Sequence, residues 1–194
     1  MEEKEYTATI SEILDAVKPI LDDTKRCIFS HDKGCLDAAE KKRRAILTSS
    51  LPMTEAIVSK QQKSQLEIKF LGILPHLQKL GINLDDLLSA SYSKITLDVA
   101  FTEKALKEIS DMIAGVNGLA RDTKDFFVTK NVHLSEQIQT AAGKLGGMAD
   151  EFALVHQQRL IVGLCSPKAS YLYLDIIESL KRMARELALI AEKA

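Results

Sequence analysis

Residues 171–192 read YLYLDIIESLKRMARELALIAE. Tyr173, Ile176, Ile177, Leu180, Met183 and Ala184 fall three and four positions apart, the spacing that lines one face of an α-helix. Pro167 marks a break before it, so a helix is expected from about residue 170 to the end.

The rest of the chain has the same texture. Ile10, Ile13, Leu14, Val17, Ile20, Leu21, Cys27 and Ile28 predict a first helix over 9–30, with Thr9 and Glu12 spaced as a capping box. His31-Asp32-Lys33-Gly34 is turn chemistry, with Gly34 the expected stop. A second helix is expected over 35–60, kinked or interrupted by Pro52. A third is expected over 65–91, carrying Leu66, Phe70, Ile73, Leu74, Leu77, Leu80, Leu84, Leu87 and Leu88 with Pro75 inside it. The polar stretch 89–98 reads as a junction. Thr102 is placed to cap a fourth helix, with Phe101 and Leu106 as a hydrophobic staple. A fifth helix is expected over 134–163.

Three helices followed by three invite a test for duplication. Shifted by 99 residues, Ile10 falls on Ile109, Ile13 on Met112, Leu14 on Ile113, Val17 on Val116, Ile20 on Leu119, Thr24 on Thr123 and Ile28 on Phe127. Shifted by 103, Phe70 falls on Tyr173, Ile73 on Ile176, Leu74 on Ile177, Leu77 on Leu180, Leu80 on Met183 and Gly81 on Ala184. Any two amphipathic helices can be slid into phase. Nearly equal shifts at both ends of the unit argue for duplication instead. The expected fold is all-α: two tandem three-helix bundles, 1–95 and 96–194, forming an elongated six-helix protein.

Composition narrows the function classes. Twenty-six basic against 27 acidic residues give a net charge of −1, so no global field points to nucleic acid or an anionic membrane. Cys27, Cys35 and Cys165 form no CxxC pair, and reduced thiols are the expected state. The N-terminus has neither the basic region nor the apolar run of a signal peptide, and the most apolar stretches, 70–74 and 160–165, are too short to span a bilayer. A soluble cytoplasmic protein is the expectation.

The helix 171–192 resembles the last helix of PhoU-like proteins, which reads roughly Asp, several apolar residues, Leu-Glu-Arg-Ile-Gly-Asp-His, then Ile-Ala-Glu near its end. The preceding stretch, with His156, Arg159-Leu160, Gly163 and Cys165, resembles the end of helix five in the same family, especially domains associated with sodium–phosphate cotransporters. The resemblance implies a non-enzymatic regulator of inorganic phosphate uptake, cytoplasmic or peripheral at the inner face of the membrane. Its implied partners are a membrane phosphate transporter or its ATPase, a sensor kinase, and further copies of the chain, with no nucleic acid and no cofactor. PhoU-like proteins can carry metal clusters on Glu-x-x-x-Asp motifs. Here those positions hold Gln78, Ile82, Lys181 and Arg185, so the family's metal site is not expected to carry over.

Other constellations are weaker. The four histidines, 31, 76, 133 and 156, have no metal-ligand spacing and read as solvated or packing residues. Gly143, Gly146 and Gly147 match no phosphate loop and are expected to ease close helix approach or a bend. Lys42 and Arg43, in the run 41–44, and Lys181 and Arg182 are the local basic clusters and the candidate partner-binding residues. Two other readings stand beside the regulator: a metal-binding helical bundle, which would need Glu-x-x-His pairs that do not occur, and a helical adaptor unrelated to phosphate.

Overall fold

Burial follows helical spacing residue by residue. Along α1 (Glu3–Ser30), Tyr6, Ile10, Ile13, Leu14, Val17, Ile20, Leu21, Thr24, Cys27 and Ile28 are all buried. The computed structural model describes residues 3–49 and 51–193, with the side chains of 45–49 outside the description. Among the described residues there are seven α-helices and no strand: α1, α2 (Gly34–Ser49), α3 (Leu51–Val58), α4 (Gln65–Thr96), α5 (Glu103–Thr129), α6 (Val132–Ile161) and α7 (Pro167–Lys193). No described helix is long and apolar enough to cross a membrane.

Several boundaries differ from expectation for local physical reasons. α1 starts six residues before residue 9, because Tyr6 extends the buried stripe and packs its ring against Phe70 and Phe127. At the other end His31, and not Gly34, takes the left-handed conformation, at φ 59°, and its N–H bonds the Cys27 carbonyl. Gly34 opens α2 instead, its N–H held by Asp32 Oδ1 at 2.8 Å. The second expected helix is two: α2 ends at Ser49, and Pro52 stands in the first turn of α3, where a missing N–H is tolerated.

The stretch expected as a junction, 89–98, stays helical through Thr96. Its polar residues are satisfied without leaving the helix: the Ser91 hydroxyl donates to the Leu87 carbonyl, and buried Lys94 reaches the Ile28 carbonyl at the end of α1. Thr102 caps α5 as expected, accepting from the Ala105 N–H, with Phe101 and Leu106 packed against the core. The glycines 143, 146 and 147 have no neighbour within 4 Å of where a side chain would begin, so they mark no close approach. That role belongs to Gly115, where a Cβ would meet Leu145 Cδ2 at 2.3 Å. The expectation of separate thiols is also corrected: Cys27 and Cys35 are joined as a disulfide across the α1–α2 corner, leaving Cys165 free.

One hydrophobic core runs from Tyr6 to Ala191. α1 packs on α2, α4 and α5; α7 packs on α4, α5 and α6. Lys124 binds Asp15 and Asn117 binds Asp22, so α1 and α5 run antiparallel. His76 meets Glu186 and Asp86 meets Arg182, so α4 and α7 do too. α2 covers α1 and α4 on one flank, while α6 covers α5 and α7 on the other. α4, at 32 residues, is about 48 Å long.

Two carboxylates couple this scaffold to acid. Glu67 closes a capping box with Ser64 at the start of α4, and Lys60, with the Ser64 N–H, holds its carboxyl down to about 2. In α2 the Arg43 guanidinium, helped by Arg44, holds Glu40 at about 2 as well. Folded-state values below the unfolded one of 4.5 mean stability that is present above that pH and lost as pH falls toward 2. Denaturant melts between about pH 7 and about pH 2.5 should show this loss, and Glu67→Gln, which keeps the cap acceptor, should take up about one proton fewer on acid unfolding.

Candidate functional site

The basic residues singled out in the sequence lie in the seams between helices, each bound to an acid. Lys42 of α2 pairs with Asp23 of α1. Arg43 is 8 % exposed and bridges Glu40 of its own helix to Asp85 of α4 at 2.7 Å. Its role as an exposed contact is therefore corrected: it is a buried tie between α2 and α4. Lys181 pairs with Asp150 of α6, and Arg182 with Asp86 of α4 at 2.9 Å. Beside Arg182 the α4–α7 seam opens into a polar cleft of about 340 Å³, whose walls include Ser89, Ser93, Asp175 and Glu178. The two clusters lie on opposite flanks and do not form one patch, since Lys42 belongs to the α1–α2 seam and Lys181 to the α6–α7 seam.

The four positions compared with a metal motif, 78, 82, 181 and 185, do not converge. Gln78, Ile82 and Arg185 are exposed, and Lys181 is engaged with Asp150. Among the described residues no group of three or more His, Cys, Asp or Glu is arranged to hold a metal ion.

A buried polar network that the sequence did not single out occupies one end of the bundle. Tyr173 of α7 donates its phenol to Glu108 Oε2 of α5 at 2.6 Å, and Arg159 of α6 reaches the same oxygen at 2.8 Å. The Tyr173 ring stacks on His156 with centroids 4.3 Å apart, and Ser170 meets His156 Nε2 at 2.7 Å. Glu108, His156, Ser170 and Tyr173 are all buried. Burial, and then the Glu108 carboxylate, push the Tyr173 phenol far above its ordinary range. Burial, and then Arg159, hold His156 below its usual value. The signal was present in the chain as His156-x-x-Arg159, one helical turn apart on α6. Glu108, which joins the network, lies 51 residues from Arg159 and 65 from Tyr173, beyond any local pattern.

Next to this network, Lys94 crosses from α4 to the end of α1. Its ammonium lies 2.9 Å from both the Ile28 carbonyl and His31 Nδ1, while His31 Nε2 is 3.1 Å from Asp98. Burial lowers the Lys94 value. The same ammonium sits over Phe101, whose ring meets Tyr173 edge-on. The α1–α2 corner and the amino ends of α5 and α7 thus form one continuous polar-aromatic end.

The turn after α6 leaves that end apolar on the outside. Ile161, Val162 and Leu164 are 83 %, 68 % and 68 % exposed. Compared with known proteins, the chain matches no family model, no curated protein and no solved structure.

Two tyrosines carry an alkaline consequence. Burial raises the Tyr6 phenol to about 12, and Tyr173 lies higher still. A folded value above the unfolded one of about 10 means stability that is complete below that pH and falls as pH rises through it. Tyr173→Phe should weaken this alkaline decline. At neutral pH it should cost about 1–3 kcal/mol, because Glu108 loses a donor in a buried site. Spectrophotometric titration with parallel thermal melts measures both effects.

Proposed function

We propose that this chain is a non-enzymatic, PhoU-like regulator of inorganic phosphate transport, built as two tandem three-helix units, 1–95 and 96–194, that acts by docking on a membrane transporter component. One observation carries the duplication. Both first helices end in a left-handed residue whose N–H bonds the carbonyl four back: His31 at φ 59° and Lys130 at φ 56°, 99 positions apart, the same shift that superposes their apolar residues. Non-glycine residues adopt this conformation uncommonly, so its recurrence in register is hard to attribute to amphipathic periodicity alone.

The packing supports the same reading. α1 lies against α5 and α4 against α7, first helix on first and third on third, each pair antiparallel. A two-fold relation between halves produces this pairing, because equivalent elements then face one another with opposite direction. The phosphate connection rests on the resemblance of 171–192 and of the His156–Cys165 stretch to PhoU-like proteins.

The docking surface is the apolar α6–α7 tip, with Lys181 and Arg182 farther along α7 supplying charge on one flank and Lys42 on the opposite one. Their acid partners leave Lys42 and Arg182 each 44 % exposed, so they can still steer an approaching partner. Arg43 is excluded because it is buried.

The test is affinity capture from the native host under low salt. A phosphate transporter component, its ATPase or a phosphate-sensing kinase should co-purify, and Val162→Asp should reduce capture at least about tenfold while melting like the parent, since a charge at an exposed tip burdens only the interface. Arg182→Gln should weaken capture less and reduce its salt dependence. If no phosphate-transport component is retained and loss of the protein leaves phosphate uptake unchanged, the protein is a helical adaptor of another system.

A further inference from the structure

α2 and α7 both pack on α4, and between these two walls the outer surface of α4 is the floor of a trough. A cleft of about 310 Å³ opens between α2 and α4, and the one of about 340 Å³ opens between α4 and α7. Ser89 and Ser93, one helical turn apart, line both clefts, so the two run together over α4. Asp37 and Glu40 stand on the α2 wall, Asp86 on the floor, and Asp175 and Glu178 on the α7 wall. Arg182 is the one cation among the residues lining the two clefts. Elsewhere the seams neutralise their acids: Asp23 has Lys42, Asp85 has Arg43 and Asp150 has Lys181. In the trough Arg43 and Arg44 take Glu40, and Arg182 takes Asp86. Asp37, Asp175 and Glu178 have no ion pair among the described residues.

The layout of the trough selects its occupant. Unpaired carboxylates on both walls make a local negative field in a chain whose net charge is only −1. No group of three or more His, Cys, Asp or Glu among the described residues is arranged to hold a metal ion, so these carboxylates do not converge on a point. Spread along two walls, they match an elongated polycation instead. The floor from Asp86 to Ser93 is about 10 Å long, the length of about two turns of a helix laid along it. Tyr92 and Tyr171, 52 % and 65 % exposed, add aromatic faces, and the Lys33 ammonium 5.3 Å from the Tyr92 ring centre shows that ring receiving a cation. Leu36 and Leu88 give the α2 side an apolar strip, which an amphipathic segment can use and a wholly polar polyamine cannot.

We propose that this trough is the docking groove for a basic amphipathic segment of a partner protein, its Lys and Arg side chains reaching Asp37 on one wall and Asp175 and Glu178 on the other, its apolar side chains lying against Tyr92 and Leu36. The groove is a different surface from the α6–α7 tip and stands independently of any role in phosphate transport.

The probe is a fluorescein-labelled helical peptide of lysine and leucine, its binding to the full chain followed by anisotropy at low and at moderate salt. Asp175→Asn with Glu178→Gln should weaken binding by about tenfold while melting like the parent, because exposed acids contribute little to the fold. Glu136→Gln with Glu151→Gln removes the same charge from exposed positions on α6, outside the trough, and should change binding by less than about twofold. Ser89→Trp, at an exposed floor position, should block the peptide at any salt without lowering the melting temperature. A peptide with serine in place of leucine should bind more weakly, and spermine should displace the parent peptide only at a large excess. Equal loss in the two charge-matched variants, binding unchanged in Ser89→Trp, or displacement by spermine at the peptide's own concentration would each overturn the assignment.

Discussion

α7 is packed by three helices at once, and the burial of its apolar surface is divided among them. Leu172, Tyr173, Ile176, Ile177, Leu180, Met183, Ala184, Leu187 and Ile190 spread too widely round the helix for one neighbour to cover, and α4, α5 and α6 share them. Each large side chain so buried contributes about 1.5–3 kcal/mol. Apolar burial has no direction of its own, however, and would tolerate a slip of one helix along another. The polar ties set the register: His76 to Glu186 and Asp86 to Arg182 between α4 and α7, Asp150 to Lys181 and Gln139 to the Ala188 carbonyl between α6 and α7. Glu186 illustrates the constraint best. It is 7 % exposed, and a slip of one turn would leave its carboxylate buried without His76.

The same logic explains why the conspicuous basic residues tie neighbouring helices together. In a nearly neutral chain, consecutive lysines and arginines have acids within reach wherever two helices run side by side. Arg43 is the extreme case. Its fork is divided between Glu40 and Asp85, which lets α2 lie across α4 with a charge in an almost closed seam. The two ends of the bundle are filled differently. One is filled with Tyr6, Ile57 and Phe70; the other holds His156, Tyr173, Glu108 and Arg159 around a cavity and shows Ile161, Val162 and Leu164 to the outside.

Local chemistry by itself determined the helical class and most of the element boundaries. Apolar residues every three to four positions can satisfy burial only as helices, Thr102 had the cap and staple of a helix start around it, and Pro167 could only begin a helix or break one. The left-handed ends at His31 and Lys130 share the 99-residue shift already visible in the apolar pattern. All of these act within about one or two helical turns, the range over which a sequence can be read directly. What the tertiary structure alone decided were the pairings between distant residues. Polar residues at 89–96 looked like a junction because their partners, the Leu87 and Ile28 carbonyls, appear only when the helix is continuous and packed on α1. Arg43 looked exposed because the Asp85 that buries its charge lies on another helix, and His156 looked ordinary because Ser170, Tyr173 and Glu108 converge on it from two others. A side chain's electrostatic surroundings depend on which helix faces cross, and that is settled by the sum of many non-directional contacts, which leaves no signature at any single position.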